Sequence, residues 1–148
     1  MFDALNVSAT GLTAERLRMD VTAENLANAQ TTRGADGQPY RRKEVVLAEA
    51  TNGGFGTQLA KAIGAGSGAG AQPGGVEVAG ITQDQTPGKL VYDPGHPDAD
   101  AKGYVRMPNV DTVAEMVDLI SASRAYEANV TAMNSAKQMF SKTLDLLR

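Results

Sequence analysis

Residues 2–29 read FDALNVSATGLTAERLRMDVTAENLANA, a stretch with no proline and one glycine, Gly11. Phe2, Leu5, Ala9, Leu12, Met19, Ala23 and Leu26 keep a spacing of three and four that only Arg16 interrupts. That period gathers them on one face of a helix. Leu5, Leu12, Met19 and Leu26 recur every seven residues, the spacing of a seam that pairs with another helix. Leu17 and Val21 lie beside the seam and widen its apolar surface.

The other end of the chain repeats the pattern. Met116, Leu119, Ser123, Tyr126, Val130, Met133, Lys137, Phe140, Leu144 and Leu147 alternate steps of three and four, with only Ser123 and Lys137 polar. Pro108 and Asn109 precede this stretch. Thr112 with Glu115 has the S/T-x-x-E form of a capping box, so a helix is predicted from residue 111. Asp111, Glu115 and Asp118 lie early in it and Lys142 and Arg148 late, as the helix dipole favours. At ~1.5 Å per residue a helix over 111–148 reaches roughly 55 Å, too long for the interior of so small a compact domain.

Between the two helices the signals are short. Val45-Val46-Leu47, Val76-Glu77-Val78 with Ile81, Lys89 to Tyr92 and Gly103 to Met107 read as brief strands. Asp93-Pro94-Gly95-His96-Pro97 reads as a turn. GAGSGAGAQPGG, residues 64–75, reads as a flexible linker. The predicted fold is mainly α with a small β part, two long terminal helices forming a coiled-coil-like pair. Its parts are an N-terminal helix over 1–30, a loop-rich β segment over 31–110 and a C-terminal helix over 111–148.

Composition narrows the function. The chain has 148 residues, 42% hydrophobic, yet only three Phe and no Trp, which makes a thin, alanine-heavy core. A net charge of −3 offers no electrostatic grip on nucleic acid or an anionic membrane. The cysteine count is 0, which excludes disulfides and thiolate metal sites. Neither a signal peptide nor an apolar run long enough to span a bilayer is legible, and by itself this reads as a soluble cytosolic chain. His96 stands alone in a turn. Asp98 and Asp100 lack the ligand count and spacing of a calcium loop. Tyr40-Arg41-Arg42-Lys43 is the densest basic cluster, but Glu44 follows at once, and a partner-facing strand suits it better than a nucleic-acid surface. No catalytic, cofactor-binding or metal-ligating residue is therefore predicted, and no cofactor. A self-assembling subunit and a coiled-coil adaptor forming a closed oligomer stay open, with an enzyme a distant third.

The end of the first helix is rich in side chains that compete for backbone hydrogen bonds: Asn25, Asn28, Gln30, Thr31 and Thr32. Two readings fit, a C-terminal cap and a recognition element at a packed joint. Ser8 to Ala14, Arg18-Met19-Asp20-Val21 and Asn25 to Thr32 together resemble the N-terminal signature of flagellar rod and hook axial proteins. Tyr40 to Lys43, Leu90 to Pro94, Gly103 to Val110, Glu115 to Ile120 and Tyr126 to Val130 narrow the resemblance to the proximal rod. The resemblance implies a non-enzymatic subunit that stacks helically into a drive shaft, its terminal helices lining an export channel. It implies other copies and related rod subunits as partners, and no membrane insertion. It also implies passage through the flagellar type III export apparatus without a cleaved signal peptide, and residence in the periplasmic rod. Export substrates of that family often carry a Phe-x-x-x-apolar element, and Phe55 with Leu59 has its form.

Overall fold

The computed structural model describes residues 2–34, 36–50 and 74–146. Two helices and four strands follow in the order α1 (Phe2–Ala27), β1 (Lys43–Glu49), β2 (Val76–Gln83), β3 (Leu90–Tyr92), β4 (Tyr104–Arg106) and α2 (Thr112–Leu146). The chain is thus mainly helical, with a small β part between the terminal helices. Most of the linker, with Phe55, Leu59 and Leu147, lies outside the described residues.

α1 and α2 pack antiparallel. Gly11 of α1 lies against Asn129 of α2, and Asn25 near the end of α1 reaches Glu115 at the start of α2. Small side chains let the backbones approach. Ala14, Ala122 and Ala136 are buried with Val21, and a Cβ on Gly11 would stand only 3.0 Å from the Asn129 side chain. Among the described residues the fully buried hydrophobic side chains of the helices are thus small ones. Val105 is the buried hydrophobic residue of the strand region.

The strands form two separate antiparallel pairs. β1 runs against β2, from Lys43 opposite Gln83 to Glu49 opposite Val76, with a bulge between Val46 and Leu47 that leaves Ala79 unmatched. β3 and β4 pair Leu90 with Arg106, Val91 with Val105 and Tyr92 with Tyr104. The Tyr92 and Tyr104 rings meet edge to face, 5.3 Å apart, which holds so short a pair together across its strands.

Both helix ends are made by side chains, though not all by those the sequence suggested. Asn28 Nδ2 donates to the Glu24 carbonyl at 2.9 Å and Asn28 Oδ1 accepts from the Thr31 hydroxyl at 3.1 Å. These bonds close α1 at Ala27 and turn the chain. At the start of α2 the capping box expected from Thr112 and Glu115 is replaced. Asp111 is the N-cap, its Oδ1 accepting from the amides of Val113 and Ala114 at 3.0 and 3.5 Å. Glu115 is thereby left for a different task, across the fold.

Candidate assembly joint

Three pieces of chain distant in sequence meet where α1 ends and α2 begins. Asn25 is 1% exposed and uses all of its hydrogen-bonding capacity. Its Nδ2 donates to the Lys43 carbonyl at 2.8 Å and to Glu115 Oε2 at 3.0 Å. Its Oδ1 accepts from the Lys43 amide at 2.9 Å and from the Tyr40 hydroxyl at 2.9 Å. The side-chain amide pairs with the Lys43 backbone as a neighbouring strand would, and so fixes where β1 begins.

Glu115, also 1% exposed, receives Arg42 Nε on its other oxygen at 2.5 Å. Arg42 Nη2 continues to Asp118 at 3.3 Å, and Arg18 of α1 approaches the same carboxylate at 4.0 Å. Arg42 thus spans two acids on one face of α2. The hydrogen bond to Glu115 raises its guanidinium pKa further, against the opposing effect of burial. The Arg42 amide donates to Asn109 Oδ1 at 2.9 Å, tying in the loop before α2. Burial and the nearby Glu24 and Glu115 charges push the Tyr40 phenol up to about 12, which keeps it a proton donor to Asn25.

Such an arrangement is a clamp. A buried carboxylate is costly to desolvate unless its lone pairs are filled, and here each Glu115 oxygen has a donor from a different segment. The joint borders a cleft of ≈260 Å³ lined by Arg18, Thr22, Asn25, Lys43 and Asp118 among others.

A second junction lies at the turn after α1. Thr32 Oγ1 donates to Asp98 Oδ2 at 2.9 Å, and Arg33 stands 3.6 Å from the other Asp98 oxygen. His96 Nδ1 accepts the Asp98 amide at 3.1 Å. Of the family-motif residues, Asn25 is the clamp, Asn28 and Thr31 close the helix, and Thr32 ties it to the loop between β3 and β4.

The helix-interface residues divide. Leu5, Leu12, Met19 and Leu26 on α1 are half-buried, as are Leu119, Tyr126, Val130 and Met133 on α2. Met116, Phe140 and Leu144 are more open, at 46%, 39% and 52% exposure. The inward positions on α1 include Gly11, Ala14, Val21 and Asn25, and those on α2 include Glu115, Ala122, Asn129 and Ala136. Leu119, Tyr126 and Met133 fall between those α2 positions at helical spacing, whereas Met116 and Val130 lie one residue to the side. Reading the sequence missed Glu115, Arg42 and Tyr40 as partners. The signal was present, since Glu115 sits a heptad before Ala122 and so occupies a seam position.

Among the described residues no helix is long and apolar enough to cross a membrane, and no group of three or more His, Cys, Asp or Glu is placed to hold a metal ion.

Two family models match the chain. One, described as "Flagella basal body rod protein", covers residues 5–35, and the other, "Flagellar basal body rod FlgEFG protein C-terminal", covers residues 101–146. The first stretch contains Asn25 and the second contains Asn109, Glu115 and Asp118, so the clamp joins the two matched regions. Similar proteins span the whole chain. "Flagellar basal-body rod protein FlgC" of Borreliella burgdorferi is 49% identical over 100% of this chain and 98% of its own length. Its counterpart in Bacillus subtilis is 51% identical over 98% of this chain and 97% of its own. That of Escherichia coli is 48% identical, covering 99% and 97%.

Proposed function

The chain belongs to the flagellar basal-body rod proteins of the FlgC family, and from that premise we propose that it is a structural subunit of the proximal rod, working by assembly and without catalysis. As a rod protein it belongs to the flagellar basal body and assembles with other rod components. The finer reading is that it stacks helically through α1 and α2, with the helices lining the channel through which later subunits pass. It reaches the periplasmic rod through the type III export apparatus, and Phe55 with Leu59 is the candidate docking element.

The observation that carries this reading is the apolar surface left uncovered once the chain has folded. Val113 is 65% exposed, Val117 61%, Ile120 54% and Leu90 60%. A monomer whose buried hydrophobic core is mostly alanine and valine leaves its larger apolar side chains on the outside, and such surfaces mark contacts with other chains. A closed coiled-coil adaptor would hide its seam in one partner. Here apolar side chains stand outside the helix pair on several sides, which suits a subunit with several neighbours. A subunit without enzymatic work also fits a joint whose titratable groups pair with one another.

The test is deletion of the gene followed by imaging of isolated basal bodies. Cells are expected to lack complete rods and to be non-motile. Antibody against the chain should label the rod of complemented cells. Normal rods and swimming without the gene would sink the reading.

A further inference from the structure

Of the basic cluster at residues 40–43, three side chains are spent within the fold. Tyr40 donates to Asn25, Arg42 holds Glu115 and Asp118, and Lys43 pairs with Glu24. Arg41 is the exception. Its exposed guanidinium meets only neutral groups, the side-chain oxygens of Gln85 and Gln38. It lines a cleft of ≈420 Å³ together with Arg106, at the end of β4, and no carboxylate lines that cleft. Asp84 stands next to Gln85 in the chain, but the Thr86 hydroxyl chiefly holds its carboxyl low, and Arg42 is the cation that acts on it. Among the described residues the Arg106 side chain has no acid partner either. Arg16 and Arg124 also lack one, yet each stands singly on an exposed helix position. Two uncompensated arginines sharing one cleft, in a chain of net charge −3, are a different matter.

The main chain beside Arg41 is open as well. The Tyr40 amide donates to the Thr31 carbonyl at 3.1 Å, and the Arg42 amide donates to Asn109 Oδ1 at 2.9 Å. Between them, neither the amide nor the carbonyl of Arg41 has a partner among the described residues. Such alternation is the pattern of a strand with one edge unpaired. The walls are stiff. Pro39 and Pro87 line the cleft with fixed φ, and Gly88 backs so closely on the Met107 carbonyl that a Cβ would strike it. At Pro39 and Arg106 the cleft meets a second one of ≈490 Å³, which holds Asp98, already tied to Thr32 and Arg33, and Asp100. Two clefts with a shared boundary fit a segment of chain better than a single small ion.

We propose that this cleft binds a short acidic peptide of a partner protein. The peptide main chain pairs with the Arg41 amide and carbonyl, and a Glu or Asp side chain is held by the Arg41 and Arg106 guanidinium groups. Guanidinium matches carboxylate with parallel N–H donors. Strand pairing supplies affinity and the charged side chain supplies selectivity. An anionic sugar polymer has no peptide edge to offer Arg41, so the open backbone favours a peptide. This contact lies off the two long helices and does not depend on the rod reading.

The test uses the full chain at a concentration where its helical circular dichroism is complete. Fluorescein-labelled tetraglutamate is the probe and anisotropy the readout. Tetraglutamate is expected to bind despite the negative net charge of the chain. Tetraglutamine and a sulfated oligosaccharide should bind at least about tenfold more weakly, and Arg41→Gln and Arg106→Gln should each weaken tetraglutamate by about tenfold or more, as loss of a charge-assisted hydrogen bond does. Arg124→Gln, outside the cleft, should change nothing. Circular dichroism checks that each variant is folded. Should Arg41→Gln fail to fold, Arg106→Gln decides, since its side chain gives up no acid partner. No binding of tetraglutamate at millimolar concentration would overturn the proposal. So would an equal loss from Arg124→Gln, which means diffuse charge, or equally tight binding of the oligosaccharide, which means a polyanion surface. None of these results bears on the rod function, which gene deletion tests separately.

Discussion

Asn25→Ala removes four hydrogen bonds at one stroke. The bond to the Glu115 carboxylate is worth about 1.5–3 kcal/mol, and each neutral bond, two to Lys43 and one from Tyr40, about 0.5–1.5 kcal/mol. Their simple sum runs from about 3 to 7.5 kcal/mol, and water entering the vacated space recovers part of it. A loss of about 3 kcal/mol follows at the lower end, a large share of the ~5–15 kcal/mol that holds a domain together. The clean comparison is Asn28→Ala, three residues along the same chain. Asn28 bonds only within its own turn, to Glu24 and Thr31, and its loss as a local cap should cost no more than about 1 kcal/mol. Hydrogen exchange at the Lys43 amide of the assembled chain, which Asn25 Oδ1 protects, reads the difference directly. At 1.4 kcal/mol per factor of ten, 3 kcal/mol is roughly a hundredfold faster exchange. In Asn28→Ala the same amide should accelerate by less than about fivefold. Equal acceleration in the two variants would refute the claim that Asn25 clamps separate segments.

Arg42→Lys should impair assembly and loosen the joint although charge is kept, because one ammonium cannot hold Glu115 and Asp118 through a guanidinium's separate nitrogens; thermal unfolding of the assembled chain should shift down by several degrees, and an unchanged midpoint would contradict this. Gly88→Ala should cost about 1–3 kcal/mol, since a Cβ there would collide with the Met107 carbonyl, and the loss should appear as faster exchange of the β3–β4 amides. Tyr40 gives a pH test. Its pKa is raised from 10.0 to about 12, so its contribution is complete below about pH 10 and is lost as pH rises through 12. Tyr40→Phe should therefore start less stable but fall less between pH 10 and 12, as read by helical circular dichroism of the assembled chain.

The long-range architecture was legible because two helices of this length announce themselves by period alone, and the short strands by their β-branched runs. The detail of the helix contact was harder to read. Searching for large apolar residues at heptad spacing selects Met116, Val130 and Leu12, whereas Ala14, Ala122 and Ala136 are buried and Gly11 lies against Asn129. Alanine appears on a buried and an exposed face with equal ease, so hydrophobic period carries little information about which face is innermost. Glu115 was obscured for a related reason. A carboxylate three residues after a threonine at a helix start matches a cap, and its alternative partners, Asn25 and Arg42, are 90 and 73 residues away. Nothing local distinguishes the two uses. What decides between them is that Asp111 caps the helix first.

The small-residue seam and the exposed apolar stripe have a common physical origin. Packing two helices through glycine and alanine encloses little surface, and at ~25 cal/mol per Å² it yields a weak driving force against ~1–2 kcal/mol of backbone entropy per ordered residue. A clamp of charged and amide groups supplies register, since every partner is specified, but adds little net stability. The large side chains that would strengthen a monomer, Val113, Val117 and Ile120 among them, are turned outward instead. The isolated chain is therefore marginal, and the missing burial comes from neighbours. Dilute purified protein should show low helicity, with protease trimming about 30 residues from either end, and should gain helix on assembly. Terminal helices fully formed and protected at low concentration would mean that the clamp and the alanine seam suffice alone, and the case for stability borrowed from neighbouring subunits would fail.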